Sequence, residues 1–434
     1  MKDRHDDLAL RIGRWAIEFR PSEEQLRRVR VSISDFIGCV VAGVRLSELR
    51  PALSLAAPGA TPVFGLAERF NVPSAALVMA NAGSLMQLHD VFVPVGLHPS
   101  APVISAAWAA YANCEPHRVN LVRAVAAGYE ACHRIALACS PGQFLAGSSA
   151  NGSAGAIGGA IAAALAFGYD EHGVARAVSN AALLLSATPV ICMRTHGELA
   201  PLHTAHAART AVEAALLART GAAGRCTLEG DGEIPGLIDF LRGDCRSIEP
   251  ESWDGSTLDQ LAWKLSPACF GSQAPLEAAL RIAPKDSRSI ERVIVRVPKH
   301  LLWLIEPGTG SEHLYDRLMS LRWVVARALE RRRYDWNVSL RDEPDTLVLA
   351  SRIEVAYSPE LDRLPKGTLG ADLEMELSGQ HQRIAYRRKV DLASEDGGWT
   401  GWTLRHDDPR LAQKFADLTH RCESTARRIS SLLA

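Results

Sequence analysis

The chain is predicted to fold as a mainly α protein, a large all-helical domain joined to a smaller α+β domain. Three observations predict this. First, 47% of the 434 residues are hydrophobic while only 6% are aromatic, so most apolar mass is Ala, Leu and Val, which suits closely packed helices more than a β-sandwich. Second, the first part of the chain shows segment after segment with apolar residues at helical spacing. Third, the texture changes near Ser287, where an alternating, β-branched run begins, and the tail reads as amphipathic helix again. Helix, then α+β, then helix predicts a second domain whose C-terminal segment returns to the first. The boundaries read as 1–260 with 400–434 for the helical domain, and 261–399 for the α+β domain.

In chain order, Ser22 followed by Gln25 makes a capping-box pattern. Leu26, Val29, Ile33, Ile37 and Val40 follow at helical spacing until Gly43 closes the helix. Helices are expected over 103–112 and 118–138. The run 155–168 is so rich in Gly and Ala that it reads as a deeply buried helix with close helix–helix approach. Helices 170–184 and 203–220 come next, the latter ended by Gly221. Residues 290–297 read as a strand and 312–331 as a helix. The runs 346–350, 353–357, 369–377 and 382–390 read as strands separated by polar or Gly/Pro turns, and 409–433 as the tail helix. The basic patch 331–333 reads as a solvated helix terminus.

The charge balance, 48 Lys+Arg against 49 Asp+Glu, lacks the electrostatic footprint of a nucleic-acid binder. Nine cysteines, an odd number without zinc spacing, read as buried thiols of a reducing cytosol. The charged N-terminus MKDRHDDLAL has no signal-peptide core. The uncharged stretch 135–169 is interrupted by Pro141, Gln143 and Asn151, which leaves it shorter than the ~20 residues of a membrane span. A cytoplasmic protein without membrane or nucleic-acid partners is expected.

No phosphate-binding loop, dinucleotide fingerprint, HExxH or GxSxG is present. Chemistry therefore falls to polar residues set in apolar surroundings: His89-Asp90, His98-Pro99-Ser100, Arg194-Thr195-His196, His203 with His206, and Lys264. His98 ends a Gly/Pro-rich loop before an apolar helix, where it would cap the helix or handle protons beside an anion. Lys264, flanked by Leu261, Ala262, Trp263 and Leu265, is either a snorkelling surface lysine or a desolvated one suited to proton transfer. His203 and His206 have i,i+3 spacing, but no third ligand lies close in sequence, so no metal is expected.

The order of these segments resembles the MmgE/PrpD family, which includes 2-methylcitrate dehydratase, cis-aconitate decarboxylase and iminodisuccinate epimerase. The resemblance rests on His98-Pro99-Ser100 before an apolar helix, Leu202-His203-x-x-x-Ala207-Ala208, Lys264-x-x-Pro267-x-Cys269, and an α+β part followed by a returning tail. It covers nearly the whole chain, with the clearest matches over 81–112, 155–220 and 261–281. It implies a large all-helical domain, a smaller α+β lid domain, a homodimer, and a cofactor-free site between the domains for a small-molecule substrate.

The chain departs from the family's pattern where charges usually gather. The acidic run Asp-Phe-Asp-Asp-Thr is replaced by Gln87-Leu88-His89-Asp90-Val91, so only Asp90 survives. Ala200 stands where relatives often carry a Lys, three residues before His203. A His is missing from the loop 144–151. Lys264 and Cys269 match, but Gln273 replaces a His, and Trp323, beside Arg322, replaces a Tyr. Losing one charge-stabilising Lys costs about 3 kcal/mol of transition-state stabilisation, so several losses together argue against the usual polycarboxylate reaction.

Three readings follow. One is an enzyme with changed chemistry, in which His98 and Lys264 are the acid/base pair and Asp90 orients a partner. Gln87, Ser100, Arg194, His203, Cys269, Gln273 and Trp323 would bind substrate, with apolar walls from Val91, Phe92 and Trp323. Another is an ordinary family dehydratase, decarboxylase or epimerase with compensation from Arg194, His196 or Arg322. The third is a non-catalytic binding or regulatory protein that keeps the fold.

Overall fold

The computed structural model of the chain describes residues 7–114, 120–185, 189–190, 197–302, 313–341, 343–365, 368–389 and 402–419. The helical part is organised by capping and by small-residue packing. Ser22 and Gln25 form the full capping box at the start of the helix Glu23–Gly43, satisfying two N-terminal donors reciprocally. Asn71, Asn120 and Asp170 cap the helices Val72–Ser84, Leu121–Cys139 and Glu171–Leu184 by accepting from a backbone N–H three residues on.

The helix Ala154–Ala166 is almost wholly buried and packs against Ser100–Tyr111, Leu121–Cys139 and Leu202–Ala218. Small residues make that possible. A Cβ added at Gly158 would lie 2.4 Å from the Gly128 carbonyl oxygen and 2.4 Å from the Cys132 Cβ. The helices Val72–Ser84 and Leu202–Ala218 complete a contiguous apolar core, most of whose members are fully buried Ala, Val, Ile and Leu.

The second core lies around a four-stranded sheet with spatial order Ile353–Tyr357, Ile290–Val297, Thr368–Leu377, Gln380–Lys389. The first two strands pair in parallel and the others antiparallel. The helix Gln273–Ile282 packs on this sheet and on the helix Leu321–Arg331. A small three-stranded sheet, Val91–Phe92, Leu261–Lys264 and Trp402–Thr403, joins the two cores. Leu261 and Trp263 belong to the helical core and Ala262 to the other, as the strand's alternation requires. The C-terminal helix Pro409–Thr419 returns to pack on Glu23–Gly43.

Two expectations are corrected. Residues 346–350 are not a strand but part of the helix Pro344–Ser351. Pro344 stands at its first position, where a missing N–H costs nothing, and a short apolar run does not reveal its own period. The helix expected over 312–331 is two helices, Leu314–Met319 and Leu321–Arg331, broken at Ser320, whose hydroxyl caps the second by accepting from Trp323 N at 3.4 Å. The tail helix is described only to Thr419; 420–433 lie outside the described residues. All seven described cysteines are free thiols. No described helix is long and apolar enough to cross a membrane.

Candidate functional site

The helix Val72–Ser84 ends in a tight turn in which Gln87 adopts a left-handed conformation, φ 50°, uncommon for a residue with a side chain. The chain then runs through His89 and Asp90 into the strand Val91–Phe92. The loop beyond folds straight back: Phe92 N donates to the Leu97 carbonyl at 2.6 Å. This return sets His98 beside Asp90, and His98 N donates to Asn151 Oδ1 at 2.9 Å. The ring follows, its Nδ1 lying 2.8 Å from the Asp90 main-chain oxygen. A carbonyl only accepts, so Nδ1 carries the proton and Nε2 is left with its lone pair.

Asp90 is wholly buried and its carboxylate is occupied. Oδ1 accepts from Ser100 N at 3.3 Å, at the start of the helix Ser100–Tyr111, and Oδ2 accepts from the Tyr129 hydroxyl at 2.8 Å. Ser32, which accepts from Trp263 Nε1 at 3.0 Å, adds its hydroxyl to Asp90. Burial pushes the Asp90 carboxyl up to about 6 against these donors. Asp90 is therefore a fixed anchor that aims His98 through its own backbone.

Lys264 closes the cluster from the neighbouring strand. Val91 pairs with Ala262 and Phe92 with Leu261 in antiparallel register, and the Lys264 charge acts on both His89 and His98. Lys264 has no solvent exposure, and its Nζ has no hydrogen-bond partner among the described residues. Burial lowers its pKa to about 8, helped by the charge of Lys414 and opposed by Cys269, Cys39 and Asp90. Burial and the Lys264 charge hold His98 down at about 3. His89, its ring centroid 4.9 Å from that of His98, is pushed well below the ordinary imidazole value by burial and by His98, Lys264, Lys414 and His203. Its Nδ1 is buried without a partner.

The remaining expected residues are placed as follows. His203 Nδ1 lies 2.6 Å from the Ala200 oxygen and its Nε2 is 3.1 Å from the Thr204 hydroxyl, so both ring nitrogens are engaged. Its charge acts on His89 and His98. Cys269 is buried near Lys264, and burial raises its thiol pKa. Ser100 gives its backbone N–H to Asp90.

Gln87 and Gln273 are buried, their amide nitrogens in long contacts with backbone oxygens; Gln273 Oε1 has no partner. Trp323 is buried in the core around the four-stranded sheet. Phe92, expected to wall the site, instead stacks on His133 at 3.9 Å with rings 7° apart, as part of the helical core. His206 is exposed. Arg194 and His196 lie outside the described residues. No group of three or more His, Cys, Asp or Glu positioned for a metal ion occurs among the described residues.

Sequence reasoning missed Tyr129, Asn151, Asp35 and Lys414. The last two carried a signal. Lys414 lies between Leu411 and Leu418 on the apolar stripe of the tail helix, and Asp35 is the lone acid within VSISDFIGCVV. A charge on a buried stripe implies a partner, and here each is the other's partner.

The MmgE/PrpD N-terminal domain description matches residues 11–241 and the MmgE/PrpD C-terminal domain description matches residues 266–433. Lys264 lies in the short segment between them. No curated protein matches the chain. The two matches, one after the other over most of its length, place this chain in the MmgE/PrpD family, a family of dehydratase and lyase type.

Proposed function

We propose that the chain is a divergent MmgE/PrpD-type lyase or isomerase, working by proton transfer without a cofactor on a small carboxylate less highly charged than citrate-like acids. One observation carries this reading. The Nδ1 proton of His98 is given to the Asp90 main-chain oxygen, which leaves the Nε2 lone pair free, while the neighbouring Lys264 ammonium, its pKa lowered to about 8, keeps its proton near neutral pH and has no hydrogen-bond partner among the described residues.

The steps follow from the tautomer. His98 Nε2 takes a proton from the carbon next to the substrate carboxylate, and the bond's electrons move towards the carbonyl. Lys264 Nζ, with no protein partner to compete, holds the enolate-like charge. In an elimination it passes its proton to the leaving group as the double bond forms; in an isomerisation the proton returns at another carbon or the other face.

The charge balance supports the smaller substrate. The imidazoles of His89, His98 and His203 are all held down towards their neutral forms, so Lys264 is the cation this described cluster offers, enough for one carboxylate. Untargeted metabolite profiling tests the proposal. Wild-type protein added to cell extract should deplete one small acid and accumulate its dehydrated or rearranged partner, while Lys264→Ala and His98→Ala leave both unchanged. Turnover confined to citrate-like acids, or unaltered in Lys264→Ala, would overturn it.

A further inference from the structure

We propose that Lys414, on the returning C-terminal helix, is a positioning residue for the site: its ammonium ties together the two segments that carry His89, Asp90 and Lys264. The proposal rests on the reading of Lys264 as the site's acid. The chain has only seven lysines among 48 basic residues, and Lys264 and Lys414 are both wholly buried.

Their surroundings differ completely. Lys264 Nζ has no partner among the described residues, whereas Lys414 Nζ donates to Asp35 Oδ1 at 2.6 Å, to the Leu88 carbonyl at 3.0 Å and to the Lys264 carbonyl at 2.8 Å. Three donors meet three acceptors, so the ammonium is fully satisfied. The acceptors come from the helix Glu23–Gly43, the turn before His89, and Lys264 itself, at separations of 379, 326 and 150 residues. Both carbonyls point to one ammonium, so Lys414 holds the backbones of Leu88 and Lys264 together beyond the last pair of the strand register, Val91 with Ala262. The last described helix thus completes a site whose other parts lie far earlier in the chain.

The test isolates positioning from folding. Removing Lys414 alone strands the Asp35 carboxylate, a strongly destabilising change, while replacing both members of a buried pair by neutral groups is often tolerated. Asp35→Asn/Lys414→Met also removes two charges that act on Lys264 in opposite senses, that of Lys414 the more strongly, so the Lys264 pKa rises on charge alone and the readout must be one that charge does not move. The other groups acting on Lys264, namely Cys269, Cys39, Asp90, His89 and His98, are untouched.

In a full-chain double variant melting within about 5 °C of wild type, the amide hydrogens of 86–90 and 261–265 should exchange at least about tenfold faster than in wild type while those of 154–166 keep their wild-type rates, because the two segments are no longer tied. A folded double variant with unchanged rates at 86–90 and 261–265, or with all three segments speeded alike, overturns the proposal; a merely structural Lys414 would give one of those results.

If the double variant does not fold, hydrogen exchange on the wild-type chain decides. Segments 86–90, 261–265 and 409–419 should open as one unit, with protection within about tenfold of one another. A larger difference overturns the proposal. Neither measurement needs a substrate, so an absence of turnover would count against the proposed function and leave this inference standing.

Discussion

Replacing Lys264 by Met should stabilise the protein at neutral pH. The Lys264 ammonium is wholly buried and has no hydrogen-bond partner among the described residues, and its pKa falls from the ordinary 10.5 to about 8, first because of burial. At about 1.4 kcal/mol per tenfold, this fall means that carrying the charge inside costs about 3 kcal/mol. The sign follows from linkage. Between about 8 and 10.5 the unfolded chain binds a proton that the folded chain does not, so stability rises with pH across that window. Below about 8 both states are protonated and the full cost is present.

Met has similar length and no charge, so Lys264→Met should gain up to about 3 kcal/mol at pH 7, less what imperfect packing takes back. The advantage should shrink to near zero by pH 10.5. Urea unfolding of both proteins at pH 7 and pH 10, followed by far-UV circular dichroism, measures it. A variant less stable than wild type at pH 7, or a difference that does not change with pH, would refute the reasoning. The same variant should lose turnover, the trade expected where a site keeps an unfavourable group for chemistry.

Other outcomes follow from the same geometry. With the substrate from profiling in hand, kcat/KM should fall above pH 8 as Lys264 loses its proton and fall below pH 6 as the Asp90 carboxyl takes one up. His98, held at about 3, adds no limb near neutrality, and a profile still rising at pH 9 would remove Lys264 from the acid's role. Gly158→Ala puts a methyl against the Gly128 carbonyl and Cys132 and should cost about 1–3 kcal/mol in urea unfolding; a neutral result would mean the two helices separate freely. Thr257→Val deprives buried Glu130 and His133 of the hydroxyl that joins them. It should lower stability by about 1–3 kcal/mol, checked against Thr257→Ser, which keeps the hydroxyl and should restore most of it.

Much of the fold was legible because its signals are local. Ser22 and Gln25 sit three apart on the same chain, so their capping box is visible without any tertiary knowledge, and the Ala/Gly run 154–166 announces a buried helix by composition alone. Residues 346–350 were misread because a five-residue apolar run fits either period, and packing against Leu321–Arg331, with Thr346 bonded to Arg327, decides it. At the site, Asp90, His98 and Lys264 were legible as polar residues in apolar settings, with His98 and Lys264 read as an acid/base pair and Asp90 as orienting a partner, but the means by which Asp90 orients was not. Asp90 works through its backbone oxygen, which no side-chain pattern reveals.

By itself the sequence determined the class of the protein: near-neutral, Ala-rich, mainly helical, with an α+β segment and a tail that returns. Only the tertiary structure decided which nitrogen of His98 keeps its lone pair, that Lys264 is buried without a partner among the described residues, and that Lys414 meets Asp35 from 379 residues away. The physical reason is range. Capping, periodicity and helix packing by small residues act over a few positions along the chain, while tautomers, desolvation and buried ion pairs depend on which distant groups the fold brings within hydrogen-bond reach.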